Sequence, residues 1–268
     1  MHSFLCYDSA AADHDRLAVP AIFAEPARDL VARTGLPAAG RILILDIGTG
    51  TGIAARLAIE LAHPGTIVVG LDPSLEMLRV ARSHDLLCLA VGAVPGLPYP
   101  DAAFDRILAN FVLSHLTSYR TALLDIVRVL RPGGKLGMTT WGASQNEFRE
   151  LWQEVAEAFD EKEALHTATQ AAVPWEDWFT DAGHLQEAFE DAGLIGVEMH
   201  SAQYTTRMTI GDFLALRDNS IQARFMRQTL EGRQWEEFRQ AVSAEFHRRF
   251  TNPIEYVRDA HIAIGACP

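Results

Sequence analysis

The stretch LDIGTGTG, residues 45–52, sets three glycines within five positions directly behind a run of branched aliphatic residues. The run RILILDI (41–47) has the near-continuous apolar character of a strand that is buried on both faces. Gly48, Gly50 and Gly52 carry no Cβ, so the turn after this strand can bend tightly and can approach a ligand with bare backbone. The helix that follows offers free N–H groups to an anion, either a phosphate or a carboxylate. The stretch therefore predicts the first ligand-facing turn of a parallel α/β sheet.

Short apolar segments alternate with helical patterns from residue 41 to residue 141. This alternation is the rhythm of strand, helix and strand units in a parallel sheet covered on both faces. Proline and glycine mark the loops between the segments, and RPGGK is predicted to turn the chain into the fifth strand. The predicted strands of this half are 41–47, 66–72, 86–92, 106–113 and 135–141, with helices at 53–62, 75–85 and 119–130.

The second half of the chain is less regular. Helices are predicted at 151–159, 175–179 and 184–194, and strands at 197–204 and 260–266 with helical structure between them. The whole pattern predicts an α/β fold with a doubly wound, mostly parallel sheet of seven strands and a helical lid formed by insertions. The predicted organisation is an N-terminal helical segment at 1–40, a core at 41–142, a lid insertion at 143–182, and the rest of the core at 183–268 with a second helical insertion at about 209–252.

The charge balance restricts the class of partner. The 268 residues include 35 acidic and 23 basic side chains, for a formal net charge of −12. This excess gives no electrostatic reason to bind a nucleic acid or an anionic membrane surface, so we expect a small-molecule partner. Cys6, Cys88 and Cys267 are too few and too scattered for a disulfide framework. The sequence shows neither a secretory signal pattern nor an apolar run of membrane-spanning length, and a cytoplasmic protein is expected.

Glycine turns of this kind serve more than one purpose. Dinucleotide-binding proteins prefer G-x-G-x-x-G, in which the third glycine lets the helix pack closely on the strand. Here the spacing is G-x-G-x-G, and Asp46 precedes it. A carboxylate in this position is unfavourable beside a pyrophosphate but suits an amino group, so the spacing disfavours a nicotinamide cofactor. A tight connection that binds no ligand is the structural alternative.

Four motifs in chain order resemble those of the class I S-adenosylmethionine-dependent methyltransferases, in particular the small-molecule branch of the ubiquinone and menaquinone methyltransferases. Together they cover most of residues 41–141, and the set is more specific than the glycine turn alone. The resemblance implies a Rossmann-like fold, S-adenosyl-L-methionine as cofactor and S-adenosyl-L-homocysteine as product. The motifs are LDIGTGTG (45–52), GLDPSLEML (70–78), VGAVPGLPYPDAAFD (91–105) and VLRPGGKLGMTTW (129–141).

The resemblance also implies roles in cofactor binding. The glycine turn passes under the methionine portion of the cofactor, and Asp46 helps to hold its ammonium group. Asp72 accepts hydrogen bonds from both ribose hydroxyls, although it can instead cap the helix that begins after it. Met77 packs on the adenine, with ordinary core packing as the alternative. The family often has Gly-Asp-Ala after the third strand, whereas this chain has backbone groups of Ala93 and Val94 to define the adenine edge.

Four further residues carry implied roles near the transferred methyl group. YDSAAADHD (7–15) resembles an entry segment that folds over the cofactor through Tyr7, and His14 replaces its usual second tyrosine. Asn110 lies where the family lines the methyl-transfer site. His115, one turn further, and His14 are the candidate general bases, because the ordinary pKa of histidine lies near neutrality. A structural His115 bonded to a backbone carbonyl is the alternative.

Three tryptophans are candidate substrate-binding residues. Trp141 ends the fifth strand and is expected to point toward the crevice, although an aromatic side chain there can simply seal the core. Trp175 and Trp178 lie three positions apart, so a helix at 175–179 puts them on one face, where they can stack on a flat substrate or pack the lid on the body. The histidines and acids show no metal-ligand spacing, and no metal is expected.

The leading interpretation is transfer of a methyl group from S-adenosylmethionine to a small, hydrophobic or aromatic metabolite, as in specialised biosynthesis. Such a reaction needs alignment and exclusion of water more than covalent machinery. A general base is required only for an oxygen or nitrogen nucleophile that must lose a proton. The alternatives are a cyclase or pericyclic catalyst that keeps the cofactor without methylating, and a non-catalytic binding module. The pattern makes no prediction of acceptor atom or oligomeric state.

Overall fold

The computed structural model describes residues 7–37, 40–144, 146–159 and 162–268. The strands are β1 (Leu43–Ile47), β2 (Ile67–Asp72), β3 (Cys88–Val91), β4 (Phe104–Asn110), β5 (Leu130–Trp141), β6 (Ile195–Met208) and β7 (Ile254–Ala266). The helices are α1 (Ala11–Asp13), α2 (Ala24–Thr34), α3 (Ile53–Leu61), α4 (Leu75–Ser83), α5 (Tyr119–Val129), α6 (Glu147–Glu157), α7 (Lys162–Ala172), α8 (Ala182–Asp191), α9 (Ile210–Arg217), α10 (Ile221–Thr229) and α11 (Gly232–Arg249). Cys6 lies outside the described residues.

The seven strands form one sheet in the order β3-β2-β1-β4-β5-β7-β6. The first five run parallel, whereas β7 is antiparallel to both β5 and β6. Strand β1 is central, since Asp46 is in register with Gly70 of β2 on one side and with Leu108 of β4 on the other. The prediction of a doubly wound, mostly parallel sheet of seven strands is confirmed.

The strand order reverses between β1 and β4, because the chain moves outward from β1 through β2 to β3 and then returns to the other side of β1. The loops at the carboxyl ends of these two strands diverge and leave a crevice between them. In open α/β sheets this is where ligands bind. The turn at 48–52 and the segment that follows Asn110 both lie at this edge.

The N-terminal segment is helical and packs across the sheet. A π-helical stretch, His14–Phe23, joins α1 to α2 and contains Pro20. Proline has no N–H to donate, so an ordinary α-helical ladder is interrupted there, and π-helical turns are frequent at functional sites. Leu30 and Val31 of α2 are fully buried in a cluster with Ile44 of β1. This packing anchors the segment beside the central strand.

A second apolar cluster joins the helices that follow β5 to those between β6 and β7. Trp152 of α6 packs edge to face on Phe238 of α11, with ring centroids 5.4 Å apart, and Phe213 of α9 stacks near Phe246 of α11. The two helical insertions therefore form one packed layer. Within the described residues, every helix is too short or too polar to span a bilayer.

The structure corrects several predicted elements. Strand β4 ends at Asn110 rather than at 113, because Phe111 has a left-handed backbone (φ +58°) and a short 3₁₀ helix, Leu113–His115, follows. The predicted turn RPGGK is part of β5, which begins at Leu130, and both β6 and β7 are longer than predicted. Helix α7 was not predicted at all. The predicted helix at 175–179 is wrong, since turns precede a 3₁₀ helix, Trp178–Thr180.

Candidate active site

The three glycines of the turn after β1 all have left-handed backbones, with φ of +62°, +56° and +92°. Two of them are required by packing. A Cβ on Gly48 would lie 2.4 Å from Val112 Cγ2, and a Cβ on Gly52 would lie 2.2 Å from Leu86 Cδ1. A Cβ on Gly50 would meet nothing closer than His14 Nε2, at 4.0 Å. Gly50 is therefore the position at which bare backbone faces open space.

Asp46 is fully buried at the end of β1. Its Oδ2 accepts hydrogen bonds from the Thr49 hydroxyl at 2.6 Å and from the N–H of Ala55 at 3.1 Å. These bonds tie the glycine turn to the first turn of α3. Burial raises the pKa of Asp46 to about 7. Its Oδ1 has no hydrogen-bond partner among the described residues, so one acceptor of the carboxylate is unsatisfied.

Asp72 ends β2 and links two loops of the site. Its Oδ2 accepts a hydrogen bond from the N–H of Gly50 at 2.9 Å, and its Oδ1 accepts one from the N–H of Ser74 at 2.8 Å. Burial raises the pKa of Asp72. The side chain that caps α4 is Ser74, whose hydroxyl accepts from the N–H of Met77. Ser74, and not Asp72, is therefore the side chain that caps α4, and Asp72 holds the two loops together.

Residues of the N-terminal segment lie over the glycine turn. The His14 ring, beside Gly50, stacks on Phe23 with centroids 5.0 Å apart. Burial lowers the pKa of His14 to about 4, so this ring is neutral at pH 7. Asp8 accepts a hydrogen bond from the Ser74 hydroxyl at 2.5 Å, and sequence reasoning had assigned it no role. The Tyr7 ring meets the His115 ring edge to face at 5.8 Å.

An aromatic wall lies beyond the carboxyl ends of β4 and β5. The Phe111 and Trp141 rings stack with centroids 3.6 Å apart, and Phe23 lies 5.6 Å and 5.9 Å from them. The strained backbone of Phe111 is held by a hydrogen bond from its N–H to the Thr139 hydroxyl. That hydroxyl donates in turn to Oδ1 of Asn110 at 2.8 Å. The sequence analysis named Trp141 and Asn110 but missed Phe23 and Phe111.

His115 is exposed, yet protein atoms surround its ring closely enough for burial to lower its pKa. The neighbouring backbone of Ala172 and the charge of Glu176 oppose the lowering.

The predicted adenine-side residues flank the loop after β3. Met77 is 3% exposed on α4, and Val94 is buried in the main core cluster, whereas Ala93 is exposed. Asp125 fixes the same loop by accepting hydrogen bonds from the N–H groups of Gly96 and Leu97 at 2.6 and 2.8 Å.

The two remaining tryptophans do not share a face. Trp175 packs edge to face on Tyr119 at 4.8 Å and belongs to the partly buried rim of the core. Trp178 is 43% exposed and stacks on His184, with centroids 3.5 Å apart. The predicted shared helix face is therefore wrong, because no regular helix sets the three-residue spacing there, and the packing of Trp175 on the core agrees with the packing alternative.

Two arginines that lie over aromatic rings contribute a feature that the sequence analysis missed. Arg224 of α10 is 6% exposed, and its guanidinium carbon lies 4.3 Å from the centroid of the Tyr7 ring. Arg258 of β7 lies 3.5 Å from the Trp141 ring in the same manner. The sequence signal for Arg224 is its position between Ala223 and Met226, on the apolar side of a short helix. No group of three or more metal-ligating side chains occurs in the described part of the chain.

This geometry defines an α/β protein with a ligand site at the topological switch point, and comparisons with known proteins give its family. A family model described as a methyltransferase domain matches residues 45–138. Malonyl-[acyl-carrier protein] O-methyltransferase of Pseudescherichia vulneris is 30% identical over 186 residues, which cover 65% of this chain and 72% of the relative. The chain belongs to the S-adenosylmethionine-dependent methyltransferases.

Other relatives match over shorter regions. Malonyl-[acyl-carrier protein] O-methyltransferase of Methylococcus capsulatus is 37% identical over 42% of each chain. Demethylmenaquinone methyltransferase of Tropheryma whipplei is 37% identical over 35% of this chain and 39% of the relative. The matched region thus spans about two fifths of the length of these two relatives.

Solved structures share the fold at low sequence identity. Phosphoethanolamine N-methyltransferase 2 of Haemonchus contortus, in complex with S-adenosyl-L-methionine, superposes with a TM-score of 0.55 at 18% identity over 91% of this chain and 52% of that chain. A Haloferax volcanii methyltransferase complexed with its activator Trm112 gives a TM-score of 0.55 at 22% identity over 98% of this chain and 97% of that chain.

Two observations in this chain fit the family's cofactor. The open side of Gly50 leaves room for a ligand in direct contact with backbone, where any other residue would place a Cβ. The unsatisfied, buried Oδ1 of Asp46 offers an acceptor to a donor such as an ammonium group. The glycine turn and Asp46 therefore fit the amino-acid portion of the cofactor in both shape and hydrogen bonding.

Proposed function

We propose that the chain transfers a methyl group from S-adenosyl-L-methionine to a small-molecule acceptor and releases S-adenosyl-L-homocysteine. The observation that carries the proposal is the hydrogen bond from the N–H of Gly50 to Asp72, which joins the open glycine turn to the acidic end of β2. In the family the turn contacts the methionine portion and the acid contacts the ribose. Both features occur here at one edge of the sheet.

The proposed cofactor residues divide between the two sides of the crevice. The turn at Gly48, Gly50 and Gly52, together with Asp46, holds the amino-acid portion, and Tyr7 and His14 cover it from the N-terminal segment. Asp72 holds the ribose, while Met77 and the backbone of Ala93 and Val94 border the adenine. When bound, the cofactor supplies an electrophilic methyl group on a sulfonium. The chain itself contributes alignment and exclusion of water.

The proposed acceptor site lies against the aromatic wall of Phe111 and Trp141, beside Asn110 at the end of β4. Stacked rings of this kind favour a flat, apolar body in the acceptor. We assign the role of a lid to the layer formed by α6, α7 and α9 to α11, because it packs over this edge with residues from both insertions. The relatives named above act on quinone precursors and on a malonyl group carried by a protein.

The two candidate bases differ in what the structure allows. His14 has a pKa of about 4, which makes it a weak proton acceptor at neutral pH. His115 lies in the 3₁₀ helix after β4, with its ring edge to face on Tyr7 at 5.8 Å between centroids. Burial lowers the pKa of His115 as well, so position decides between the two. For an acceptor that must lose a proton, we propose His115, which follows the end of β4, as the base and assign His14 to positioning beside Gly50.

The test is incubation of the purified protein with S-adenosylmethionine labelled on its methyl group and panels of small metabolites, followed by mass analysis. Label in a product heavier by one methylene supports the proposal. A product of unchanged mass that requires the cofactor indicates the cyclase alternative and overturns it. A Gly50→Val variant serves as the control, since its side chain fills the space beside His14 and should abolish labelling. Calorimetry with S-adenosylhomocysteine and with a nicotinamide dinucleotide tests cofactor class independently.

A further inference from the structure

Arg224 is a buried cation without an anionic partner. Its side chain is 6% exposed, and its Nε, Nη1 and Nη2 atoms make no hydrogen bond of good geometry with the described residues. The neutral Tyr7 hydroxyl is close enough for Arg224 to oppose the rise in the pKa of that group. Its guanidinium rests on the Tyr7 ring, 4.3 Å from the centroid. A cation–π contact stabilises such a charge only modestly and satisfies none of its five N–H donors.

Two more arginines, Arg217 of α9 and Arg258 of β7, also lie over aromatic rings. Arg258 lies 3.5 Å from the Trp141 ring, and its one hydrogen bond in the described structure goes to the Tyr256 hydroxyl at 3.3 Å. Arg217 lies 4.4 Å from the Trp152 ring, and its Nε is buried and unpaired. Within the described residues, neither has a carboxylate within ion-pair distance, whereas the nearby Arg149 pairs with Glu176 at 3.5 Å.

Two of these arginines border the acceptor side of the proposed site. The Arg224 guanidinium contacts the Tyr7 ring, which in turn meets the His115 ring edge to face at 5.8 Å between centroids. Arg258 lies over the Trp141 ring of the aromatic wall. Both guanidinium groups are therefore beside residues that follow the carboxyl ends of β4 and β5.

A protein with a net charge of −12 does not lack carboxylates to neutralise these arginines. Taking a guanidinium out of water without a partner is strongly unfavourable, and folded proteins normally pair such charges. Unpaired buried polar groups mark sites where a bound ligand supplies the missing partner. The planar guanidinium fork matches two oxygens of a carboxylate or a phosphate.

We propose that the acceptor carries an anionic oxygen group, a carboxylate or a phosphate, which binds Arg224 and is attracted by Arg258, while its apolar body packs against the aromatic wall of Phe111 and Trp141. This inference rests on the proposed function, since it names the class of acceptor for that site. It narrows the expected hydrophobic or aromatic metabolite to one that also bears a negative charge.

The test measures binding rather than turnover. The protein is saturated with S-adenosylhomocysteine, and calorimetry compares matched probes that differ only in charge: benzoate against benzamide, hexanoate against hexanamide, and phenyl phosphate against phenol. We expect the anionic member of at least one pair to bind at least tenfold more tightly. Preference for phenyl phosphate over both carboxylates assigns a phosphate, and the reverse preference assigns a carboxylate.

The variants Arg224→Gln and Arg224→Lys test the residue itself, with Arg227→Gln as the matched control. Arg227 lies on the same helix, but its side chain is exposed and donates to the backbone of Asp218. Loss of a charge-assisted, two-pronged hydrogen bond should weaken anion binding roughly thirtyfold in Arg224→Gln. Arg224→Lys keeps the charge without the fork and should fall between that variant and the native protein. Arg227→Gln should match the native protein.

The outcomes separate this inference from the proposed function. Equal binding of charged and neutral probes by a protein that binds S-adenosylhomocysteine overturns the inference and leaves the proposed function standing. Weaker binding of S-adenosylhomocysteine in Arg224→Gln, with anion binding unchanged, also overturns it, because the guanidinium then serves the cofactor's own carboxylate. Failure of the native protein to bind S-adenosylhomocysteine overturns both. An increased melting temperature of Arg224→Met supports a ligand-binding role, since a purely structural arginine would lower it when removed.

Discussion

The carboxylate of Asp72 accepts a hydrogen bond from the N–H of Gly50 at 2.9 Å, across 22 positions of sequence. The ends of β1 and β2 are thereby held at a constant separation, with the side of Gly50 that lacks a Cβ open. A second bond, from the N–H of Ser74 to the same carboxylate, orients the start of α4. One buried acid thus shapes both the turn and the loop that border the proposed cofactor site.

Asp72→Asn should weaken S-adenosylhomocysteine binding roughly tenfold to a hundredfold. The amide retains the shape of the side chain, but it has a single acceptor oxygen and no charge for the two N–H donors and the ribose. Calorimetry gives the affinity, and Asp101→Asn is the control because that exposed carboxylate pairs only with Arg128 among the described residues. Equal affinities of the native protein and Asp72→Asn would remove the basis for the ribose assignment.

Gly52→Ala should mainly lower the stability of the protein, whereas Gly50→Ala should mainly lower its affinity for the cofactor. Both positions have positive φ, and a side chain there costs about 1–2 kcal/mol of backbone strain. Gly52→Ala also places its Cβ against Leu86 and should lose roughly another 1–3 kcal/mol of unfolding free energy. Gly50→Ala meets no protein atom closely and should lose cofactor affinity instead. Urea unfolding and calorimetry separate the two, and a larger stability loss at Gly50 would contradict the open-side assignment.

The stability of the protein should depend on pH through Asp46. Its pKa is about 7 in the folded protein, above the ordinary value of 3.8, because burial disfavours the charged form. The folded state therefore binds more protons than the unfolded state between these pH values, and this contribution to stability is lost as the pH rises from about 4 to about 7. Asp46→Asn should remove this pH dependence. Between pH 4.5 and pH 7.5, the unfolding free energy of the native protein should therefore fall by roughly 2–4 kcal/mol more than that of Asp46→Asn. Parallel curves for the two proteins across this range would show that Asp46 is not the titrating group.

Arg224→Met should stabilise the protein without ligand. The substitution removes a buried charge that has no anionic partner and loses only the contact with Tyr7. We expect the unfolding free energy to rise by about 2 kcal/mol and the melting temperature by roughly 4–8 °C. Arg227→Met, on the exposed side of the same helix, should change the free energy by less than about 0.5 kcal/mol. Destabilisation by Arg224→Met would indicate that the arginine supports the fold.

Trp141→Ala should weaken binding of aromatic probes roughly tenfold in the protein loaded with S-adenosylhomocysteine, because it removes the ring that stacks on Phe111 and carries Arg258. Trp178→Ala is the matched tryptophan control. The Trp178 side chain is 43% exposed and stacks on His184, so probe binding should not change. An equal loss of probe affinity in the two variants would indicate that Trp178 also contacts the acceptor.

Most of the core fold was predictable because its signals are local. The apolar run before the glycines and the alternation of strands and helices up to Trp141 gave the sheet, and the missing Cβ at each glycine pointed to the turn. Prediction failed where backbone geometry depends on tertiary contacts. Phe111 ends β4 early because its N–H reaches the Thr139 hydroxyl on β5, a bond between residues 28 positions apart. The segment 175–179 forms turns and part of a 3₁₀ helix instead, and both Trp175 and Phe179 pack edge to face on Tyr119, a residue distant in sequence.

By itself, the sequence determined the class of fold, the position of the glycine turn and the acidic end of β2, since each depends on residue type and short-range spacing. Only the tertiary structure decided that Gly50, among the three glycines of the turn, has an open side, that Phe111 joins Trp141 in one wall, and that Arg224 is buried without an anionic partner among the described residues. Those properties arise from contacts between segments far apart in the chain. An unpaired guanidinium indicates a ligand site only when it is removed from water, and Arg224 is removed from water only after the helices have packed over the sheet.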